Sequence, residues 1–77
     1  MPRIVGKLTI YNCIQELRHD KNITQQDLAD AVDVTRATII ALEKGSYNPS
    51  LELAFRLAKF FETDIEEIFY ERGSRRE

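Results

Sequence analysis

The chain has 77 residues, of which 43% are hydrophobic, and its formal net charge is −2. This length allows one small domain, and because such a domain buries only about 60% of its unfolded surface, association with a partner chain is expected. The negative charge excludes indiscriminate nucleic-acid binding, which usually depends on a strongly basic surface.

Cysteine and histidine usage narrows the chemistry further. With one cysteine, Cys13, and one histidine, His19, the chain has no disulfide framework and no tetrahedral metal site. No apolar run approaches about 18 residues, so we expect a cytoplasmic chain without membrane contact. Paired carboxylates, an activated nucleophile and a glycine-rich phosphate loop are missing from the sequence patterns, which predicts a protein that is not an enzyme and takes no cofactor or small-molecule ligand.

The first predicted element is a short strand over residues 8–11, whose letters LTIY alternate between two faces. Asn12 then has the character of a helix N-cap, with Gln15 as its reciprocal partner three residues later. The pattern predicts a short helix from there to about Asp20.

The segment TQQDLADAVDVTRATIIALE, residues 24–43, has the spacing of two short helices joined by a tight turn. Thr24 and Thr35 stand where each helix needs an N-cap. Asp33 falls at the break between them, where a left-handed backbone is expected, and Gly45 is expected to end the second helix. The apolar positions predicted to hold the pair together are Leu28, Ala29, Val32, Val34, Ile39 and Leu42.

The second helix of this pair presents small and polar side chains outward. They are Arg36, Ala37, Thr38, Ile40 and Ala41. A helix that enters the major groove directs its first turn at base edges, and a guanidinium there pairs with O6 and N7 of guanine. Methyl groups on the same face suit contact with thymine methyls, and Ile40 is expected to contact these or the sugar–phosphate wall. The pattern predicts a DNA-binding helix-turn-helix.

Residues around the predicted recognition helix are candidates for phosphate contacts, which set register without reading sequence. Gln25 follows the Thr24 cap, where unsatisfied N–H groups attract a phosphate, and its amide is expected to clamp that phosphate or a base edge. Lys44, Ser46, Tyr47 and Asn48 follow the helix and are expected to reach the backbone. The predicted DNA-binding set is Gln25, Thr35, Arg36, Ala37, Thr38, Ile40, Ala41, Lys44, Tyr47 and Asn48.

A fourth helix is predicted from the Ser50 cap to about residue 61, with Arg56 on its solvent face. Its predicted inward stripe is Leu51, Ala54, Phe55, Ala58 and Phe61, widened by Leu57 and Phe60. Thr63 and Glu66 then form a predicted capping box for a fifth short helix, which carries Ile65, Ile68 and Phe69.

With YNPSLELAFRLAKFF following it, the helix-turn-helix segment resembles the Cro and phage-repressor type, or XRE type, of helix-turn-helix regulator. The resemblance covers about residues 12–69 and implies an all-α, lambda-repressor-like bundle of five short helices. It implies sequence-specific binding of double-stranded DNA, usually as a homodimer. It also implies an internal ion pair between Arg18 and Glu43, on the first and third helices.

The flanks, residues 1–11 and 70–77, are interpreted through the same resemblance. Short regulators that end in a segment like DIEEIF carry a strand at each flank, so residues 8–11 are expected to pair with residues 69–72 in a small β-ribbon. Ile65, Phe69 and Tyr70 are then expected at a two-fold dimer interface.

Two departures from the family pattern limit what the resemblance carries over. Many members have glycine at the position of Asp33, which puts only the turn conformation in question. Many have glutamine, lysine or asparagine in place of Ala37 and Ala41. The operator of a relative therefore does not transfer to this chain.

Two functional classes are open from the sequence. The first is a homodimeric transcriptional regulator, expected to be a repressor. The second is an antitoxin-type protein that binds a partner toxin and autoregulates its own operon. Bland interpretations compete at single residues: Arg36 as a solvated surface arginine, Gln25 as a helix-start residue without a ligand, and Cys13 as an inert thiol.

Overall fold

The computed structural model describes residues 8–71. Within that range the chain forms five helices and a two-stranded antiparallel sheet, as the sequence predicts. In chain order the elements are β1 (Ile10–Asn12), α1 (Ile14–Asp20), α2 (Gln25–Val32), α3 (Arg36–Lys44), α4 (Leu51–Phe61), α5 (Ile65–Ile68) and β2 (Phe69–Glu71).

Side-chain caps start the three longest helices at the predicted positions. The Thr24 hydroxyl accepts the Asp27 N–H at 3.0 Å, and the Asp27 carboxylate accepts the Thr24 N–H at 3.0 Å, which makes a complete capping box. These two bonds, first the one from the backbone, lower the pKa of Asp27 below its ordinary value. Thr35 and Ser50 each accept the N–H of the residue three positions later, at 3.2 and 3.1 Å.

Left-handed residues end the same three helices. Asp33 has φ 63° at the end of α2, as the sequence predicts, and the Val34 N–H closes the turn on the Ala29 carbonyl at 3.0 Å. Gly45 (φ 80°) ends α3 and Glu62 (φ 56°) ends α4. A Cβ at Gly45 would meet no atom within 4 Å, so glycine is favoured there by backbone conformation and not by space.

The core lies where α1, α2, α3 and α4 converge, with α5 closing one end. It is formed by Ile14, Leu28, Ala29, Val32, Ile39, Leu42, Leu53, Leu57, Ala58, Phe61 and Ile68. The Arg18 side chain is buried with them. Because α2 and α3 each bury one apolar stripe here, their relative orientation is set by the core.

The prediction that Asn12 caps α1 with Gln15 is wrong. The helix begins at Ile14 with Cys13 in the N-cap position and no side-chain cap, because Asn12 is extended as the last residue of β1. The Asn12 amide instead bridges two helices, since Nδ2 donates to the Leu42 carbonyl at 2.8 Å while Oδ1 accepts the Ile14 N–H at 3.1 Å. Asn12 therefore ties the end of α3 to the start of α1.

The predicted capping box of Thr63 and Glu66 is also wrong. The N-cap of α5 is Asp64, which makes no side-chain cap bond. The Thr63 N–H donates to the Ala58 carbonyl at 3.0 Å, so this residue belongs to the turn that ends α4.

The β-ribbon is shifted relative to its prediction. Residues 8 and 9 precede the strand, and the register pairs Ile10 with Glu71, Tyr11 with Tyr70 and Asn12 with Phe69. The ladder reaches Asn12 because the Cys13 N–H bonds the Ile68 carbonyl at 3.1 Å, directly beyond the strand pair. The predicted extension of the second strand to residue 72 lies outside the described residues.

The predicted inward stripe of α4 is wrong at two of its positions. Leu51 and Phe55 are 72% and 52% exposed. The buried positions are Leu53, Ala54, Leu57, Ala58 and Phe61. The apolar surface of this helix is wider than the stripe that the core can cover, so its outer edge remains in solvent.

Candidate nucleic-acid interface

α3 buries one side and presents the other. Ile39 and Leu42 are its two buried residues. Arg36 and Ala37 are exposed in the first turn, directly after the exposed Thr35 cap. Thr38, Ile40 and Ala41 are half-buried. The predicted recognition face is therefore accessible from solvent along the helix.

A shallow groove runs beside the first turn of α3, between it and the start of α2. Its lining residues are Arg18, Asn22, Ile23, Thr24, Gln25, Gln26 and Arg36. Among the hydrogen bonds and ion pairs of residues 8–71, none engages the Arg36 guanidinium. Its donors are therefore available to an external acceptor, as base or phosphate contact requires.

The charge of α3 is biased toward its accessible side. The helix carries Arg36 and Lys44 at its two ends, both exposed, and Glu43 as its one carboxylate. Glu43 is neutralised internally by Arg18, because the Arg18 Nε lies 2.8 Å from Oε2. The chain as a whole is acidic, yet this helix presents positive charge outward.

The pair formed by Arg18 and Glu43 is nearly sealed from water, with side-chain exposures of 9% and 6%. A second guanidinium donor, Nη2, reaches Oε1 at 3.2 Å, which makes the pair bidentate, and Nη1 donates to the Ile23 carbonyl at 3.1 Å. The hydrogen bond with Glu43 raises the pKa of Arg18, so the pair is charged at all ordinary pH values. It joins α1 to α3 behind the recognition face.

Gln25 extends this network in a way that the sequence analysis missed. Its Nε2 donates to Oε1 of Glu43 at 3.1 Å, so one N–H of the amide is committed inside the protein. Since a carboxylate only accepts, the amide nitrogen must face Glu43 and the amide oxygen must face away from it. No local pattern could have indicated this contact, because the two residues are 18 positions apart on different helices.

The hydroxyl groups at the start of α3 are paired with each other. Thr35 Oγ1 and Thr38 Oγ1 lie 3.0 Å apart, and Thr35 Oγ1 also accepts the Thr38 N–H. The methyl groups of these threonines are thereby left as the groups free of hydrogen bonds. This arrangement fits the predicted apolar contact with thymine methyls better than a hydroxyl–base contact.

The residues after α3 lie on an accessible loop. Lys44, Tyr47 and Asn48 are exposed, and Tyr47 and Asn48 border a second groove with residues 8–10. Ser46 is engaged locally, since its hydroxyl donates to the Ala41 carbonyl at 3.3 Å. The loop thus offers an ammonium, a phenol and an amide at the C-terminal end of α3.

The three residues predicted at a dimer interface are half-buried. Ile65 and Phe69 pack against the core and border a third groove, beside α4. Tyr70 stacks on Tyr11 across the ribbon, with ring centroids 5.9 Å apart.

Arg56, predicted on the solvent face, is half-buried and holds the end of α2. Its Nη1 donates to the Val32 carbonyl at 3.2 Å, and its Nη2 pairs with Glu52 at 2.7 Å. Cys13 is half-buried, and its thiol donates to the Glu67 carbonyl at 3.2 Å. Within residues 8–71 no cluster of metal-ligating side chains occurs, and no helix has the length and apolar character needed to cross a bilayer.

Comparison with known proteins agrees with this geometry. A helix-turn-helix family model matches residues 14–68. An uncharacterised HTH-type transcriptional regulator of Methanocaldococcus jannaschii is 55% identical over 58 residues, which are 75% of this chain and 88% of the relative. An uncharacterised HTH-type transcriptional regulator of Bacillus subtilis is 42% identical, over 77% of this chain and 89% of its own.

Among solved structures, a restriction-modification controller protein from Aeromonas hydrophila superposes with a TM-score of 0.65 at 30% identity. The match covers 70% of this chain and 82% of the controller protein. The shared region is the helical bundle, so the arrangement of helices is common to both.

Proposed function

Because this chain belongs to the XRE-type helix-turn-helix family of transcriptional regulators, we propose that it is a homodimeric repressor whose α3 reads operator DNA in the major groove. In this proposal residues 12–69 form the DNA-binding unit. The observation that carries it is the solvent-exposed first turn of α3, where the guanidinium of Arg36 has no partner within the described chain.

Arg36 is proposed as the main reader of a base. It lies at the first position of α3, immediately after the cap, which is the turn that meets base edges when a recognition helix enters the groove. A bidentate pair of arginine with guanine is worth about 1–3 kcal/mol of discrimination. Ala37 and Ala41 allow close approach and favour neighbouring thymines.

Contacts with phosphates are proposed at both ends of α3. Gln25 retains one amide N–H beyond the one given to Glu43, at the N-terminus of α2 where backbone N–H groups favour an anion. Lys44, Tyr47 and Asn48 provide donors at the other end. With Arg36 at the centre, the two groups fix the register of the helix on DNA.

Dimerisation follows from the small size of one such surface. Two copies related by a two-fold axis read two half-sites about one helical turn apart, near 10 bp centre to centre. Repression is proposed because occupancy of a promoter blocks polymerase sterically and needs no surface beyond the one that binds DNA. Activation would require a second, dedicated contact surface.

Selection of bound duplexes from a random pool, followed by footprinting, tests the proposal. We expect an inverted repeat protected as one site, bound by two copies, and a reporter promoter that carries this repeat should be silenced. An unselected pool, or a reporter that the protein activates, would contradict the proposal.

Two variants of Arg36 separate base reading from simple charge. Arg36→Ala should weaken the selected site about 10-fold or more and relax one base position, in line with the loss of a bidentate pair. Arg36→Lys keeps the charge but not the planar fork, so it should relax the same position while the salt dependence of binding stays close to wild type. Unchanged base preference in both variants would show that Arg36 is not the reader.

A further inference from the structure

One surface of the described chain is apolar and faces away from the core. Leu51 and Phe55, one turn apart on α4, are 72% and 52% exposed. Next to them runs a groove formed by side chains of α4, α5 and the ribbon. Its apolar lining residues are Ile10, Leu51, Ala54, Ile65 and Phe69. We name Leu51, Phe55 and this lining the α4–α5 apolar surface. Neighbouring large apolar side chains left this exposed mark an interaction site.

We propose that the α4–α5 apolar surface is the contact face of the homodimer, covered by the same surface of a second copy. Leu51 and Phe55 of each copy are then inserted into the groove of the other. The inference rests on the proposed function, since a regulator that reads two half-sites needs two copies around a two-fold axis. It assigns the anchoring role to α4, which the sequence analysis had turned toward the core.

The shape of the surface favours a second copy over an unrelated partner. A two-fold contact uses one patch on both molecules, so the patch must carry both the protruding groups and the depression that receives them. Here Leu51 and Phe55 protrude beside the groove floored by Ala54. An unrelated partner would need only one of these two features.

The charges at the edge point the same way. Beside Phe55, a lysine and two acids border the neighbouring depression: Lys59, Glu62 and Asp64. Among the ion pairs of residues 8–71, none involves these three. A two-fold axis through this region brings the lysine of one copy toward the acids of the other, whereas a strongly charged partner would favour an edge of one sign.

Such a dimer leaves the DNA surface open. The groove beside Arg36 shares no lining residue with the α4–α5 groove. The loop between α3 and α4 connects the two regions, because Asn48 borders the apolar groove and follows α3. Both surfaces can therefore be occupied at once.

Sedimentation equilibrium without DNA tests the proposal. Leu51→Glu and Phe55→Glu place a carboxylate at the contact while each retains its helical circular-dichroism spectrum. We expect each to raise the dimer dissociation constant about 30-fold or more, as loss of an interface anchor does. Gln15→Glu, which adds the same charge at an exposed position of α1, should leave the constant unchanged. A monomeric wild type at every concentration, or variants that dimerise like it, would overturn the proposal.

A cross-linking experiment adds a readout that does not depend on lost stability. With Cys13→Ser the chain has no other cysteine, so a single new thiol can be placed at will. Phe55→Cys should oxidise to a disulfide-linked dimer, and Gln15→Cys should not. Equal cross-linking of the two would overturn the proposal. A wild type that dimerises through this surface but selects no DNA would instead remove the proposed repressor function and leave the dimer standing.

Discussion

The helix-turn-helix of α2 and α3 and the C-terminal pair of α4 and α5 solve the same burial problem differently. In the first pair the largest apolar residues, Leu28, Ile39 and Leu42, are fully buried, and polar or small groups face out. In the second, Leu51 and Phe55 remain in solvent although the helix also contributes to the core. The comparison suggests two different partners: a hydrated polyanion for the first surface and an apolar protein face for the second.

The two regions also differ in how their charges are held. Behind α3, the carboxylate of Glu43 receives donors from Arg18 and Gln25 out of contact with water. On α4, Glu52 pairs with Arg56 in the open, where its side chain is 75% exposed. A buried pair left with one partner is costly, whereas an exposed pair contributes little.

Removing each carboxylate should therefore give the largest contrast. Glu43→Gln should lower the free energy of unfolding by about 3 kcal/mol, because it leaves the Arg18 charge buried without a counter-ion. Glu52→Gln, the matched exposed change, should cost about 0.3–0.5 kcal/mol. Urea unfolding at one fixed protein concentration measures both. Equal losses would mean that the buried network is no more important than the surface pair.

Removing matched N-caps should separate stability from DNA binding. Thr35→Ala and Ser50→Ala each delete one side-chain cap bond, so each should cost about 1 kcal/mol of unfolding free energy. Because only Thr35 begins the recognition helix, only Thr35→Ala should also weaken the selected operator beyond its effect on the folded fraction. Thermal unfolding and gel shifts measure the two quantities. An equal loss of affinity in both variants would remove any special role of the α3 start.

The smallest expected effect is on the acid side of the stability profile. The hydrogen bonds with Thr24 lower the pKa of Asp27 below its ordinary value of 3.8, so the unfolded chain takes up this proton first as the pH falls. The stabilisation is complete above that ordinary value and is lost as the pH falls through the folded one. Asp27→Asn should flatten this part of the unfolding curve.

Ser50→Ala serves as the control for the acid profile, because its cap contains no carboxylate in the bond that is deleted. It should shift the curve equally at every pH. An acid limb in Asp27→Asn as steep as that of the wild type would show that another carboxyl group produces it.

Local sequence signals predicted the helix-turn-helix well. The caps of α2, α3 and α4 and the left-handed turn at Asp33 depend on atoms within a few residues of each other, so the side-chain chemistry of Thr24, Thr35 and Ser50 was sufficient. The wrong caps occurred where two elements meet. Asn12 and Thr63 have the right chemistry for a cap, but strand pairing and the end of α4 hold their backbones elsewhere.

The sequence by itself determined which segments become helices, where the DNA-facing helix begins and which of its side chains are small or basic, because these properties follow from local hydrogen bonds and helical period. The tertiary structure alone decided that Gln25 donates to Glu43 and that Leu51 and Phe55 are left outside the core. These outcomes depend on which groups from distant parts of the chain fill the same volume. A core this small covers only part of a wide apolar face, and no local pattern records which part.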